Sequence, residues 1–307
     1  MFEFLQIITL QATFTAGESG RLPAYLGSTI RGILGHCLRE FVCGTLAVKC
    51  FTCGNRRSCD YVQYFCNTGG KGGALNPFVI YPRVQGKTEW EAGDECVFDI
   101  TLFGSAALNP GIYLDALLKM EEKGWGAERL AFTLKSVTDP EAGRLIYAGG
   151  QSWLRNLIPR AMKIRTGDAT TALVTFDTPV RIVSGKELFT SLPFDVLMRF
   201  VVGRISLMTQ IFTGYEMEWD EEAVLRNAAN VKCAAEDWRS VDFTRYSINQ
   251  KGNKLELPSR MGWALYRGDL SSFIPYLEAG KYMHVGKNTT IGFGHYEVYY
   301  DRELVSI

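Results

Sequence analysis

The order of apolar and polar positions in the first half of the chain predicts strand, helix, two strands, helix, strand. The predicted elements are strand Phe2–Phe14, helix Pro23–Phe41, strands Pro77–Arg83 and Glu95–Phe103, helix Gly111–Lys123 and strand Leu130–Val137. This order is typical of a ferredoxin-like, or RRM-like, unit.

The second half repeats that order. Its predicted elements are strand Ala172–Val183, helix Phe194–Phe212, strand candidates near Val231–Ala235 and Arg245–Asn249, strand Met261–Arg267, helix Asp269–Gly280 and strand Gly292–Tyr300. The chain is therefore predicted to be an α+β protein of two tandem ferredoxin-like domains. We place these domains at 1–155 and 156–307, with the linker inside 148–168, and the length suffices for two cores.

The predicted first helix has two different faces. One face carries apolar residues at helical spacing, including Ile30, Leu34 and Phe41, and is predicted to pack in the core. The opposite face collects Tyr25, Ser28, Thr29, Gly32, Gly35, His36 and Arg39. Small residues there would allow a second domain or an RNA backbone to come close. A histidine at this place also suits a surface residue that caps an interdomain contact.

A glycine-rich loop, residues 284–296 with the sequence HVGKNTTIGFGHY, joins the predicted last helix to the last strand. Its glycines permit left-handed backbone, and its lysine, hydroxyl and amide groups suit a phosphate-bearing ligand. The segment matches neither a Walker loop nor a dinucleotide fingerprint. An anion-binding loop and an ordinary glycine-rich hairpin therefore both stay open. The candidate contacts are Gly286, Lys287, Asn288, Thr289, Gly292 and Gly294, with His284 and His295 at the ends.

Charge is balanced at 33 basic and 33 acidic residues, so nucleic-acid binding would have to come from local patches. The basic segment 151–167 has no acidic residue and contains Arg155, Arg160, Lys163 and Arg165. A weaker patch within 239–260 contains Arg239, Arg245, Lys251, Lys254 and Arg260. Either patch also suits a solvated surface segment.

The chain lacks the usual marks of export or membrane insertion. Its apolar start has no basic region and no small-residue cleavage site, and Arg199 and Arg204 interrupt the longest apolar helix candidate. These features predict a soluble cytoplasmic protein without a membrane association.

Five of the eight cysteines fall within 43–66, which we interpret as an insertion in the first domain. A cytoplasmic setting disfavours disulfides, and thiolates of Cys43, Cys50, Cys53 and Cys59 could complete a tetrahedral structural zinc site. The spacing contains one C-x-x-C and not two, so free buried cysteines remain the alternative.

Three sequence motifs together resemble a known family. They are IRGILGHCLR at 30–39, GWALYRGDL at 262–270 and the glycine-rich loop. The chain resembles the CRISPR-associated endoribonucleases that process precursor CRISPR RNA (crRNA), members of the RAMP superfamily. The resemblance implies two ferredoxin-like domains, a glycine-rich loop that contacts RNA and cleavage of a repeat RNA without a metal cofactor, so that zinc would be structural.

Cleavage of RNA without a metal needs a base for the 2′-hydroxyl proton, an acid for the leaving 5′-oxygen and cations for the phosphorane charge. The family often places a catalytic histidine on the first helix, so the resemblance implies His36 as acid or base. Tyr25 and Arg39 share its face, and Arg39, one turn on, is the easier charge stabiliser.

Two further functions remain possible from the sequence. The chain could be a non-catalytic RNA-binding RAMP subunit of a CRISPR effector complex, or a zinc-dependent nucleic-acid adaptor. The expected partners of the RAMP protein are CRISPR repeat RNA or crRNA and subunits of a CRISPR effector complex.

Overall fold

The computed structural model describes residues 2–44, 46–66, 75–185, 187–216, 220–247, 253–301 and 303. The chain forms two compact units, an N-terminal unit of residues 3–161 and a C-terminal unit of residues from 162 onward together with Phe2. The predicted boundary at 155/156 lies a few residues earlier, inside the linker range 148–168.

The N-terminal unit contains eight strands and three α-helices in its described part. They are β1 (Ile7–Ala16), β2 (Gly20–Arg21), α1 (Gly27–Val42), α2 (Asp60–Tyr64), β3 (Phe78–Pro82), β4 (Glu89–Trp90), β5 (Glu95–Phe103), α3 (Gly111–Lys119), β6 (Phe132–Asp139), β7 (Arg144–Ala148) and β8 (Gln151–Ser152). The sheet order β3-β5-β1-β6-β7-β8 begins with the four strands of a ferredoxin-like unit, all paired antiparallel. The predicted fold is therefore confirmed for this half.

Helix α1 forms because apolar residues recur every three or four positions, and Ile30, Leu34 and Leu38 are buried. It packs beside α3, and both helices contribute to one core with the inward residues of the sheet. The predicted start of α1 at Pro23 is wrong. Segment 20–25 pairs with 85–90, through β2 with β4 and a bridge between Tyr25 and Gln85, so α1 begins only at Gly27.

The C-terminal unit contains six strands and three α-helices in its described part. They are β9 (Thr171–Val180), β10 (Val183–Ser184), β11 (Glu187–Leu188), α4 (Phe194–Thr213), α5 (Glu221–Ala228), β12 (Lys232–Ser247), β13 (Asn253–Arg267), α6 (Ile274–Met283) and β14 (Tyr296–Tyr300). The main sheet has the order β12-β13-β9-β14, which is the ferredoxin-like order again. Helix α5, which begins after the N-cap residue Asp220, was not predicted.

The separate strand candidates between residues 231 and 267 are in fact one long hairpin. β12 and β13 pair along their whole length, whereas β9 pairs only with Arg260–Arg267. The outer part of the hairpin extends beyond β9, and there Val241 and Phe243 alternate with more exposed residues, while the Phe243 ring lies 5.3 Å from the ring of Phe293.

Two further boundaries differ from prediction. The last helix begins at Ile274 and not at Asp269, because a short 3-10 turn, Ser271–Phe273, precedes it and Asp269 accepts a hydrogen bond from Ser271 N (3.1 Å) at the start of that turn. The last strand begins at Tyr296 and not at Gly292, because Gly292 and Gly294 have φ of +94° and +76°.

Helix α4 is long and apolar enough to cross a membrane by composition alone, a test that the core helices of soluble proteins also pass. Eight of its residues, among them Leu197, Val201 and Ile205, are buried in the C-terminal unit, and it packs against α5 and α6.

Candidate functional site

His36 lies on the exposed side of α1, opposite the core residues of that helix. It lines a pocket of about 230 Å³ that is formed within the N-terminal unit. The other lining residues are Ile33, Glu40, Lys123, Gly124 and Arg129. An imidazole, a carboxylate and two cations therefore share one concave surface, which we call the His36 pocket.

An ion pair between Lys123 and Glu40 forms part of this pocket. Lys123 Nζ lies 3.0 Å from Oε1 and 2.8 Å from Oε2 of Glu40. This hydrogen bond lowers the pKa of the Glu40 carboxyl and raises the pKa of the Lys123 ammonium, so both stay ionised at neutral pH. Lys119 Nζ approaches the same carboxylate at 3.9 Å.

The sequence reasoning missed Glu40, Lys123 and Arg129. Glu40 lies four residues after His36, and this helical spacing was a usable signal. Lys123 lies 83 residues from Glu40, and it reaches the pocket because α1 and α3 pack side by side. No local pattern in the sequence indicates that approach.

The two predicted partners of His36 are held elsewhere. Tyr25 precedes α1 in the extended segment that is bridged to Gln85. Arg39 Nη2 donates to the carbonyl oxygens of Leu46 (2.7 Å) and Val48 (2.8 Å), so it holds the start of the cysteine-rich insertion against α1. The catalytic roles of both residues stay predictions.

The glycine-rich loop is a tightly folded part of the C-terminal unit. It contains one 3-10 turn, Thr289–Ile291, and three glycines with left-handed φ. Gly294 N donates to Pro179 O (2.8 Å) and Lys287 N donates to Arg181 O (2.9 Å), which fastens the loop to the end of β9. A Cβ on Gly294 would lie 1.9 Å from Val285 O, so only glycine fits there.

Arg204 of α4 supports this loop from within the unit. Its Nε donates to Met283 O (2.8 Å) and its Nη2 donates to Thr289 Oγ1 (2.9 Å). Burial lowers the pKa of its guanidinium to about 10, and it remains cationic at neutral pH. Thr289 is buried, whereas the Lys287 side chain is exposed and Asn288 has a left-handed φ of +67°.

The two histidines of the loop lie side by side, with ring centroids 5.1 Å apart. His284 is buried, and its Nδ1 lies 3.1 Å from Phe293 O, which can only accept, so we assign the proton to Nδ1. Burial, His295 and Arg204 hold the pKa of His284 well below its usual value. His295 Nδ1 lies 2.7 Å from Asp177 Oδ1, so the carboxylate of Asp177 fixes the orientation of this imidazole ring.

The predicted basic segment 151–167 is divided between the two units. Arg155 is exposed, whereas Arg160 Nη2 donates to Oδ1 of the fully buried Asp139 (2.7 Å). Lys163 is exposed, and Arg165 Nη1 lies 2.5 Å from Glu303 Oε1. Arg160 and Arg165 therefore have structural ion pairs, which weakens the interpretation of this segment as a free cationic patch. In the weaker patch, Lys251 lies outside the described residues.

The predicted zinc ligands are not brought together. Across the ranges that the structure describes, no three His, Cys, Asp or Glu side chains are grouped to hold a metal ion, and this includes Cys43, Cys50, Cys53 and Cys59. Cys50 instead contacts the thiol of Cys66, and burial together with Cys50 raises the pKa of Cys66 to about 11. The zinc prediction is therefore not supported.

Two family models match consecutive parts of the chain. The AF_1859_N model, described as an N-terminal domain, matches residues 5–159. The model of the CRISPR-associated endoribonuclease Cas6 matches residues 174–296, a range that includes the whole glycine-rich loop. No curated protein sequence matches the chain.

Solved Cas6 structures share the fold at low sequence identity. A chain of a partial Cas6-RT-Cas1–Cas2 complex has a TM-score of 0.61 and 11% identity, covering 98% of this chain and 47% of that one. Thermus thermophilus Cas6 has a TM-score of 0.56 and 13% identity, covering 96% and 99%. A Cas6 product complex has a TM-score of 0.53 and 18% identity, covering 96% and 100%.

The chain spans about half the length of the chain that it matches in the Cas6-RT-Cas1–Cas2 complex. Both units nevertheless find their counterparts in the shorter Cas6 chains, which are covered almost completely. The chain therefore belongs to the AF_1859_N family over residues 5–159, its C-terminal half is similar to the CRISPR-associated endoribonuclease Cas6, and both units share the fold of solved Cas6 chains.

Proposed function

We propose that this protein is an endoribonuclease that binds CRISPR repeat RNA and cleaves precursor crRNA through attack of a 2′-hydroxyl, without a metal cofactor. The observation that carries the proposal is the exposed His36 in a pocket with Lys123 and Arg129. An imidazole beside two cations has the proton-transfer group and the charge that this reaction needs.

The proposed reaction is a transesterification. The 2′-oxygen forms a bond to phosphorus while the bond from phosphorus to the 5′-oxygen breaks. A base takes the 2′-hydroxyl proton and an acid gives a proton to the leaving 5′-oxygen, which yields a 2′,3′-cyclic phosphate and a 5′-hydroxyl. His36 performs one of these two proton transfers, because imidazole can exchange a proton near neutral pH.

The C-terminal unit contributes RNA binding in this proposal. Lys287 is exposed on a loop whose backbone is fixed by hydrogen bonds to β9 and by Arg204. A rigid loop with an exposed cation loses little conformational entropy when it binds a phosphate, which favours affinity. Gly286, Asn288 and Gly292 are its further backbone contacts to RNA, and Arg155 and Lys163 are added phosphate contacts.

The expected partner is CRISPR repeat RNA, and we propose that the mature crRNA passes to other CRISPR proteins in the cytoplasm. The similar chains were solved in a product complex and in a complex with Cas1 and Cas2, which supports partners of these two kinds.

The test is cleavage of the cognate repeat RNA in EDTA by the wild type and by His36→Ala. We expect metal-free cutting by the wild type and a loss of about 10²-fold or more in the variant, the usual size for a general acid or base. His36 is exposed, so the variant should keep the wild-type unfolding midpoint.

Cutting that EDTA abolishes would contradict the metal-free mechanism. A wild type that binds the repeat but never cuts it would favour a non-catalytic RNA-binding RAMP subunit.

A further inference from the structure

The cations that face His36 come from the segment after α3 and not from α1 itself. On the basis of the proposed nuclease function, we propose that Lys123 and Arg129 hold the scissile phosphate of the RNA, and that Glu40 positions Lys123. This assigns the charge-stabilising role to residues 123 and 129, where the sequence suggested Arg39.

Lys123 is held at a defined place before any substrate binds. Two contacts to the Glu40 carboxylate, at 3.0 Å and 2.8 Å, fix its ammonium group beside the helix face that carries His36. Glu40 itself lies one helical turn after His36, close enough for the two side chains to interact electrostatically. The ammonium has three donors, so it can keep Glu40 and still donate to a phosphate oxygen.

Arg129 is presented by a strained and well-anchored turn. Its φ is +57°, an uncommon value for a residue with a side chain. Trp125 N donates to Leu130 O (2.9 Å) and Leu130 N donates to Trp125 O (3.0 Å), which closes the turn around it. Gly124 packs so closely that a Cβ there would lie 2.4 Å from Cβ of Arg129.

The turn is also anchored in the core, because the buried Trp125 stacks on Phe132 with ring centroids 4.5 Å apart. Backbone strain that the surroundings enforce is common at functional sites. Arg129 is exposed and is paired with no carboxylate of the described residues. Its guanidinium is therefore available for an anion.

The pocket chemistry indicates a phosphodiester as the ligand. The two cations outnumber the single carboxylate, so the pocket favours an anion. Its volume of about 230 Å³ is below the range of a typical small-molecule site and suits one phosphate group with part of its sugar. Arginine and lysine together offer a planar fork and a point charge, which suits the oxygens of a phosphate.

The experiment compares single-turnover cleavage of repeat RNA by Lys123→Ala, Arg129→Ala and Lys135→Ala. Lys135 is the matched control, since it is an exposed lysine of the same unit that pairs with Glu95 outside the pocket. We expect each pocket variant to lower the cleavage rate by about 10²-fold, the usual loss for one charge-stabilising group. Lys135→Ala should cleave within about twofold of the wild type, as a surface change outside the site.

Two further measurements separate catalysis from folding and from binding. Lys123→Arg keeps a cation and should recover part of the rate, and Lys123→Ala should keep the wild-type unfolding midpoint, which a folding defect would lower. Affinity for a repeat RNA with a 2′-deoxy group at the cleavage site should fall less than tenfold, because these contacts strengthen as charge develops on the phosphate.

The positioning role of Glu40 is tested by a double-mutant cycle. Glu40→Gln should slow cleavage in the wild-type background and have almost no effect in the Lys123→Ala background. Equal losses in both backgrounds would overturn the positioning role.

One outcome is a wild type that depends on His36 while the pocket variants cleave within twofold of its rate. That result would overturn the assignment of Lys123 and Arg129 and leave the proposed nuclease function intact. A wild type that does not cleave would instead overturn the proposed nuclease function.

Discussion

His284 has an unusual environment in the C-terminal unit. It is 2% exposed, it has φ of +59° and ψ of 164°, and it lies between Arg204 and the ring of His295. A backbone conformation of this kind costs about 1–3 kcal/mol for a residue with a side chain. The surrounding contacts must offset that cost, so His284 connects α6 to the glycine-rich loop in one fixed geometry.

The buried His284 predicts a pH dependence of stability. Its pKa in the folded protein lies well below the usual 6.5, so the unfolded chain binds more protons between the two values. The free energy of unfolding should therefore fall as the pH drops below about 6.5, by up to about 1.4 kcal/mol per pH unit from this residue. Urea unfolding at pH 5, 6 and 7 measures the effect.

The comparison variant for this measurement is His284→Asn, which keeps an amide donor for Phe293 O but cannot titrate. The difference between wild type and variant should shrink or reverse toward pH 5. Parallel curves for the two proteins would contradict a buried neutral histidine.

Gly294 provides a second prediction, which separates steric clash from backbone strain. Gly294→Ala would place a Cβ 1.9 Å from Val285 O, whereas at Gly214, with a similar left-handed φ of +72°, no atom lies within 4 Å. Gly214→Ala should lower the free energy of unfolding by about 1–2 kcal/mol, because an alanine at a left-handed φ strains the backbone even without a steric clash. Gly294→Ala should cost more than about 3 kcal/mol, because backbone must move. Equal midpoints in urea would refute the clash.

At the scale of elements, α4 supports the glycine-rich loop. Arg204 donates to Met283 O at the end of α6 and to Thr289 Oγ1 in the loop turn, so one side chain joins three elements. Loops that bind ligands are usually the least stable parts of a fold, and an internal anchor of this kind keeps the loop ordered.

Replacement of Arg204 with methionine should loosen this loop selectively. Each lost hydrogen bond to the charged group costs about 1.5–3 kcal/mol. We expect faster hydrogen exchange at the amides of residues 287 and 291–294, with exchange in β12 and β13 unchanged. Arg199→Met is the control, because Arg199 is exposed on the same helix and its carboxylate contact, to Asp195, is 3.9 Å long. Equal exchange in both variants would argue against the anchor.

How well elements could be predicted from sequence depended on burial. Strand β5 and the start of α4 agree with their predictions, since their apolar positions repeat with the expected period. The full length of the β12–β13 hairpin was missed because its outer part forms backbone pairs only within the hairpin, so its extent depends on the partner strand and not on the rest of the sheet. The start of α1 was missed because β2 and β4 keep residues 20–25 extended through distant partners.

At the scale of the whole molecule, the segment that ends at residue 161 packs back against the first strand of the N-terminal unit. Ile7 and Arg160 exchange two backbone hydrogen bonds of 2.7 and 2.9 Å, and Arg160 neutralises the fully buried Asp139. A cut at the predicted boundary after residue 155 would remove this partner and leave a buried charge, which costs about 3–5 kcal/mol.

We therefore predict that a fragment of residues 3–161 unfolds cooperatively in urea and that a fragment of residues 3–155 is several kcal/mol less stable. Arg160→Ala in the longer fragment should reproduce most of this loss, whereas Arg155→Ala, at an exposed position, should not. Two fragments of equal stability would show that the segment after residue 155 is a passive linker.

The sequence alone determined the fold class, the two ferredoxin-like halves, the glycine-rich loop and the candidate His36, because each depends on local periodicity or on a contiguous motif. The tertiary structure decided which groups surround His36. It placed Lys123 and Arg129 in one pocket with His36, directed Arg39 to the cysteine-rich insertion and grouped no three of the described His, Cys, Asp and Glu side chains around a metal position. The physical reason is that partners of a charged or reactive side chain are set by helix packing and turn geometry between residues far apart in the chain.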